Sequence, residues 1–200
     1  MIDRREFLMG TVAGYAAGTV GAAPVVGGLG APETGAPPWA APEFDIPALE
    51  LVLELVVTCS KPEPLGPVSD SKDGQRRSIW PIIGGVFIGT DVRGVVVPGG
   101  GDFPLVRPDG VTIVDALYRL RTDDGVTILI HNKGLGIPSA TPGGRTRYRL
   151  SPEFTVVSGK YDWLNKSVFL ANLTTAIPEG KRLAKGENEN DRLIHVYRVG

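Results

Sequence analysis

A glycine-rich segment that ends in a carboxylate is the first feature of the sequence that could take part in chemistry. Pro98-Gly99-Gly100-Gly101-Asp102 follows an apolar run and opens no helical pattern. It lacks the lysine and the serine or threonine of a phosphate-binding loop, so a nucleotide site is disfavoured. Two interpretations remain. The glycines form a bend or bulge at a barrel corner, or they let Asp102 reach the mouth of a pocket.

A second carboxylate, Asp115, lies in a segment of alternating residues. Asp115 and Arg119 share one face of a predicted strand with Leu117. The opposite face carries Val114, Ala116, Tyr118 and Leu120. The polar face is either exposed, with a cross-strand ion pair that stabilises little, or it is a polar lining inside a barrel.

Two aromatic rings and an amide occur together in Tyr161-Asp162-Trp163-Leu164-Asn165. This segment is either a core plug whose polar tips find partners, or one wall of a ligand cavity. Both interpretations place it beside a strand.

Several classes of site are disfavoured by what the sequence contains. Cys59 ends an apolar run without a basic neighbour, which predicts a buried, inert thiol. His131 and His195 lie far apart and no Cys/His cluster has metal-ligand spacing, so neither a metal nor another cofactor is predicted. No serine lies in a nucleophile-elbow context, which disfavours a covalent hydrolase. The net charge of −1 and the short basic clusters argue against nucleic-acid binding.

The N-terminal residues carry the pattern of an export signal. Arg4-Arg5-Glu6-Phe7-Leu8 resembles the twin-arginine signal, and residues 7–32 contain no charge. This stretch is rich in glycine and alanine, which suits such a signal and makes a poor membrane span. Gly21-Ala22-Ala23 supplies the small residues of a cleavage site. We therefore predict a signal peptide over 1–23, recognition by the twin-arginine translocase, and a periplasmic or secreted protein. The alternative is an N-terminal helix, which the glycines disfavour.

The remaining sequence predicts a linker and one all-β domain. Residues 24–43 are rich in Pro, Gly and Ala and predict a flexible arm, and the domain is predicted over 44–200. Within that domain the apolar residues repeat with period two, so that Leu49, Leu51, Leu53 and Leu55 share one face and Glu50 and Glu54 the other. Candidate strands are residues 49–57, 78–87, 92–97, 111–120, 126–131, 145–155, 167–174 and 193–199. Hairpin dipeptides such as Asp109-Gly110 and Asp124-Gly125 separate them, which favours a sandwich or a closed barrel.

In combination these motifs resemble the family called domain of unknown function 3237, from Leu49 to Val199. The resemblance is carried by Ile82-Ile83-Gly84-Gly85, Val97 to Asp102, Arg107-Pro108-Asp109-Gly110, Leu120 to Gly125 and Tyr161 to Asn165. It implies a single antiparallel, lipocalin-like β-barrel of about eight strands, commonly self-associating, with no settled activity or metal. The polar positions that the family keeps are Asp102, Asp115, Tyr118, Arg149, Trp163 and Asn165. Two carboxylates, a phenol, a guanidinium, an indole and an amide are side-chain types that suit the lining of a polar pocket. Phe103 and Leu117 replace residues that are usually Trp and often Arg, which makes any pocket more apolar.

Three functions follow from this pattern. The barrel binds a small, partly apolar organic molecule in a polar-lined pocket. Alternatively, it is a cofactor-independent lyase or isomerase that uses Asp102 or Asp115 as general base and Arg149 to stabilise an oxyanion. A third interpretation is a structural, self-associating envelope protein, which makes a homo-oligomer a further expected partner. Whether the six polar side chains share one cavity distinguishes the first two functions from the third.

Overall fold

A computed structural model describes residues 47–67 and 74–200. The predicted signal peptide (1–23) and linker (24–43) lie outside the described residues. The strands are β1 (Leu49–Cys59), β2 (Glu63–Pro67), β3 (Arg76–Gly89), β4 (Val92–Asp102), β5 (Leu105–Val106), β6 (Thr112–Thr122), β7 (Thr127–Ile137), β8 (Arg147–Val156), β9 (Val168–Thr174) and β10 (Asn190–Val199). Two short 3₁₀ helices span Asp162–Lys166 and Glu179–Lys181. No helix in these two ranges has both the length and the apolar character that crossing a bilayer requires.

Eight of the strands close into an antiparallel barrel in the order β1-β10-β9-β8-β7-β6-β4-β3, and β3 pairs back with β1. Ala48 and Gly200 exchange backbone hydrogen bonds of 3.1 and 3.0 Å just beyond the ends of β1 and β10. Closure gives each of the eight barrel strands a neighbour on both sides, whereas β2 pairs only with β3 and lies at an edge of the sheet. The prediction of a single all-β barrel of about eight strands is confirmed.

The predicted alternation in β1 is wrong in its first half. Leu53 is buried, but Leu49 and Leu51 are 56% and 50% exposed. The pairing of β1 with β10 shifts register between Leu51 and Leu53, and such a bulge exchanges the two faces of a strand. Glu50 and Glu54 therefore do not share a face. Glu50 lines a hollow at the barrel end, whereas Glu54 lies outside and pairs with Lys181 and His195.

The glycine-rich segment lies inside β4 as an irregularity of the sheet. The pairing of β4 with β6 shifts register between Val97 and Gly101, and Gly99 has φ +96°, a conformation that glycine adopts without strain. A Cβ on Gly100 would lie 2.5 Å from the Cβ of Tyr118, so only glycine permits this approach of β4 to β6. The bulge interpretation is thus confirmed, and it brings Asp102 onto the inner face of the barrel.

The two ends of the barrel differ. At one end, which we call the helix end, the 3₁₀ helix Asp162–Lys166 follows β8 and buries Leu164. Trp163 packs edge-on against Phe169, with ring centroids 6.0 Å apart. At the other end, which we call the cavity end, β4 finishes and β6 and β10 begin. The side chains of Asp102, Tyr148 and Arg192 lie at this cavity end.

Candidate functional site

A cavity of about 230 Å³ opens at the cavity end. Its wall combines apolar side chains, including Val114 and Leu173, with the polar groups of Asp102, Tyr148 and Arg192. Apolar walls with few polar groups are typical of small-molecule sites in proteins.

Asp102 is the last residue of β4 and pairs in register with Trp80 on β3 and Ala116 on β6. Its Oδ1 accepts a hydrogen bond of 3.2 Å from the backbone N–H of Asp115. Burial raises the pKa of the Asp102 carboxyl above its usual range, an effect that the Asp115 N–H and the charge of Arg192 oppose. Loss of water disfavours the charged form, so this carboxyl is suited to accept and return a proton.

Arg192 supplies the positive charge of the cavity. It lies on the inner face of β10, with its guanidinium carbon 4.5 Å from the centroid of the Trp80 ring. Its Nη1 donates a hydrogen bond of 3.2 Å to the backbone oxygen of Asn190. Within residues 47–67 and 74–200, no carboxylate lies within 4 Å of its guanidinium. Arg192 falls one residue before the last predicted strand and was not predicted as a site residue. The alternation of the strand could have identified it, because Arg192 lies two residues before Ile194 and four before Val196, which both point inward.

Three almost fully buried groups lie deeper in the barrel. Tyr118, Asn132 and Cys59 are 2%, 1% and 1% exposed. Burial raises the pKa of the Tyr118 phenol, while the Asn132 amide lies close enough to oppose that shift. Burial also raises the pKa of the Cys59 thiol to about 11, so the free cysteine stays protonated and inert, as its apolar run predicts. Asn132 was not predicted as a site residue.

Asp115 and Arg149 lie on the outer face of the barrel. The Asp115 carboxylate is half exposed, and its Oδ1 lies 2.6 Å from Nε2 of His131 on β7. The Arg149 side chain is exposed, and its Nη1 donates to the backbone oxygen of the adjacent Tyr148. The polar face of β6 is therefore the solvated one, which supports the first of the two interpretations above.

Trp163 and Asn165 lie at the helix end. The Asn165 side chain accepts from the N–H of Val156 at 3.0 Å and donates to its oxygen at 2.8 Å. Trp163 packs on Phe169 and lines a separate hollow with Glu50 and Arg198. This segment joins the short helix to β8 and plugs the barrel. Of the six predicted residues, the structure brings Asp102 and Tyr118 together inside the barrel and leaves the other four elsewhere.

The chemistry available at the cavity is proton transfer and charge recognition. Asp102 offers a carboxyl with a raised pKa, and Arg192 offers a permanent cation with planar donors. Across residues 47–67 and 74–200, no three His, Cys, Asp or Glu side chains stand in a group that could hold a metal ion.

Comparison with known proteins places the chain among barrels of the same kind. A protein of Clostridium acetobutylicum, named a UPF0311 protein, is 35% identical over 141 residues, which are 65% of this chain and 87% of that protein. A crystal structure from Acinetobacter baumannii, described as a beta-barrel-like protein, matches with TM-score 0.67 and 26% identity over 80% of this chain and 100% of that one. The hydroalkoxylation enzyme of Penicillium herquei is 30% identical over 98 residues, 49% of this chain and 58% of that protein.

The family match covers the whole barrel. Residues 47–199 match the family described as "Protein of unknown function (DUF3237)". These residues run from the start of β1 to the end of β10, and the polar cavity between Asp102 and Arg192 falls within them. The chain therefore belongs to the DUF3237 family.

Proposed function

We propose that the barrel binds a small, partly apolar organic molecule in the cavity between Asp102 and Arg192. One observation carries this proposal: a guanidinium without a carboxylate partner in the described residues shares an apolar-walled cavity with a desolvated carboxyl. Arg192 would bind a carboxylate or another acceptor group of the ligand, because its donors match such groups in geometry.

The size of the cavity limits the ligand. About 230 Å³ suits a group of the size of one substituted ring. A second hollow of about 360 Å³ shares Trp80, Thr175 and Arg192 with it. A larger ligand would extend past Arg192 into that hollow, under the segment that connects β9 to β10.

Thermal shift with benzoate, a small aromatic anion, tests the proposal. Wild type should be stabilised by about 2.7 kcal/mol at 100 times the dissociation constant. Arg192→Gln should lose the shift, whereas Arg149→Gln, a matched change on the outer face, should keep it. A shift that Arg192→Gln retains in full would contradict binding at this cavity.

Acid–base catalysis by Asp102 is the second candidate function, and the raised pKa of this carboxyl favours it. The name of the Penicillium herquei relative denotes addition of an alcohol O–H across a carbon–carbon double bond. Such an addition, or the reverse elimination, moves one proton between oxygen and carbon without any cofactor. Asp102 would move the proton, and Arg192 rather than Arg149 would stabilise the developing enolate oxygen.

Ring closure of a hydroxychalcone whose phenol is ortho to the carbonyl tests this second function. The phenol oxygen bonds to the β-carbon, and its proton ends on the α-carbon, so the reaction is balanced without an oxidant. Wild type should accelerate the loss of chalcone absorbance, and Asp102→Asn should reduce that acceleration by roughly 100-fold or more. Equal rates for the two proteins would remove Asp102 from the reaction.

Export and self-association complete the proposal. Arg4-Arg5 and the uncharged stretch after them support passage through the twin-arginine translocase to the periplasm or beyond.

Apolar side chains that are about half exposed or more on the outer face of β1 and β9 support a homo-oligomer. They are Leu49, Leu51, Val168 and Leu170.

A further inference from the structure

Tyr148 is one of the residues that line the cavity beside Arg192. It lies on the inner face of β8, where its half-buried ring packs against the barrel core. Within residues 47–67 and 74–200, its backbone oxygen accepts a hydrogen bond from Arg149, but no group forms a hydrogen bond with its hydroxyl. A donor O–H is therefore available to a ligand at this part of the cavity wall.

A glycine on the neighbouring strand gives the Tyr148 ring its place. Gly134 and Gly136 follow Asn132 at the inward positions of β7, and Gly136 pairs in register with Tyr148. A Cβ on Gly136 would lie 2.8 Å from Cδ1 of the Tyr148 ring and closer still to Cε1. The ring thus lies directly against the Gly136 backbone, and the missing side chain determines where the hydroxyl is presented.

The phenol of Tyr148 keeps its proton in this position. Burial raises the pKa of the phenol, an effect that the charge of Arg192 opposes and the charge of Asp102 reinforces. The hydroxyl is accordingly neutral at physiological pH, so it can donate to an anion without repelling it.

Tyr148 and Arg192 lie on the same part of the barrel wall. Leu173 on β9 pairs with Tyr148 on β8 and with Ile194 on β10, and Arg192 occupies the adjacent inward position of β10. Strands two apart are separated by about 10 Å at the backbone, a gap that these two long side chains can close around one group. A ligand oxygen atom or carboxylate that accepts from the guanidinium can therefore accept from the phenol as well.

We infer that Tyr148 is a second hydrogen-bond donor to the ligand, so that one phenol and one guanidinium together hold an organic carboxylate. This inference rests on the proposed function, in which Arg192 binds the acceptor group. A carboxylate offers enough acceptor positions for both donors. Tyr148 is then a residue that determines specificity for organic carboxylates.

Calorimetric titration with benzoate tests this inference. Tyr148→Phe keeps the ring and removes the hydroxyl, so it should weaken benzoate binding about tenfold or more, as expected for a hydrogen bond to a charged group. Tyr197→Phe is the matched control and should bind as wild type does, because Tyr197 follows the fully buried, inward Val196 and so faces outward. If Tyr148→Phe binds as wild type does while Arg192→Gln does not bind, the inference is overturned and the proposed function stands. Absence of benzoate binding by wild type would overturn both.

Gly136→Ala supplies an independent measurement of the same contact. The added methyl group would displace the Tyr148 ring with its hydroxyl still present, so benzoate binding should weaken. Because the phenol is already displaced, Tyr148→Phe should have little further effect in the Gly136→Ala protein. Unchanged binding by Gly136→Ala, or a full additional loss in the double variant, would overturn the inference.

The melting temperature of the ligand-free Tyr148→Phe protein separates binding from a structural role. The hydroxyl has no hydrogen-bond partner in the described ranges, so its removal should leave the melting temperature unchanged. A clear decrease would assign the hydroxyl a structural role and would overturn the inference.

Discussion

The position of Asp102 in the sheet determines how its carboxyl group is solvated. The side chain stands at the end of β4, where its Oδ1 accepts a hydrogen bond of 3.2 Å from the Asp115 N–H and burial removes most of its contact with water. Asp115 itself, thirteen residues along the chain, points to the opposite face and to His131. Two carboxylates that look equivalent in the sequence therefore differ in solvation, and only one of them faces the cavity.

The raised pKa of Asp102 predicts a particular dependence of stability on pH. Because the folded state holds this proton more tightly than the unfolded chain, the contribution of Asp102 to stability is fully present below the unfolded pKa near 3.8 and is lost as pH rises through the folded pKa. Asp102→Asn removes this dependence. The free energy of unfolding of the variant, measured in urea, should therefore rise relative to wild type as pH increases from about 4. Parallel pH profiles for the two proteins would contradict the raised pKa.

Asn165 is predicted to act on stability and not on binding. Its side chain holds both backbone groups of Val156, so Asn165→Ala should lower the free energy of unfolding by roughly 2 kcal/mol. Asn172→Ala on β9 is the matched control, because no hydrogen bond of the Asn172 side chain is found within the described ranges. Equal losses of unfolding free energy for the two variants would argue against a stabilising role of the hydrogen bonds between Asn165 and Val156. A loss of benzoate binding by Asn165→Ala would argue for a role at the cavity.

At the scale of the strands, local alternation predicts faces correctly until a bulge intervenes. Period two identified the inner residues of β6, including Val114 and Tyr118, because that strand is regular throughout. The same reasoning failed in β1, since a single extra residue near Val52 exchanges the faces without any mark in the composition. The family resemblance supplied Asp102 and Tyr118, whereas Arg192 and Asn132 depend on which strands become neighbours. That information is not local in the sequence.

The approach of β4 to β6 at Gly100 gives a test of this geometry. Gly100→Ala would place its Cβ 2.5 Å from the Tyr118 Cβ and 2.7 Å from the Leu117 oxygen, and one of the strands would have to move. We expect a loss of about 1–3 kcal/mol in the free energy of unfolding. Gly180→Ala is the control, because its Cβ would meet nothing within 4 Å. A neutral Gly100→Ala would mean that the two strands are further apart than the structure shows.

At the scale of the whole molecule, export is tested on the precursor. Arg4→Lys combined with Arg5→Lys preserves the charge and removes the paired guanidinium groups, so the precursor should accumulate in the cytoplasm. Cell fractionation followed by immunoblotting measures this. Normal periplasmic yield of the double variant would mean that another route carries the protein.

The proposed self-association is tested at the scale of the whole molecule, and we expect it on the outer face of β1, β10 and β9. Leu51, Tyr197 and Leu170 lie side by side in register across these strands. Leu170→Glu should shift the sedimentation coefficient to that of a monomer, while Val157→Glu, which changes a more exposed apolar residue outside these three strands, should not. A monomeric wild type, or an oligomer that survives Leu170→Glu, would contradict this assignment.

The pairing of β1 with both β3 and β10 has a consequence for how the barrel is made. As the nascent chain leaves the ribosome, β1 meets β3 early, but its other edge has no partner until β10 follows at the far end of the barrel sequence. Through that interval β1 and β9 both present backbone donors and acceptors that a neighbouring polypeptide could pair with. Bringing together strands so distant along the chain is also slow. We therefore expect protection of these two edges during biosynthesis, for example by a holding chaperone that acts on the emerging chain, to raise the yield of the barrel.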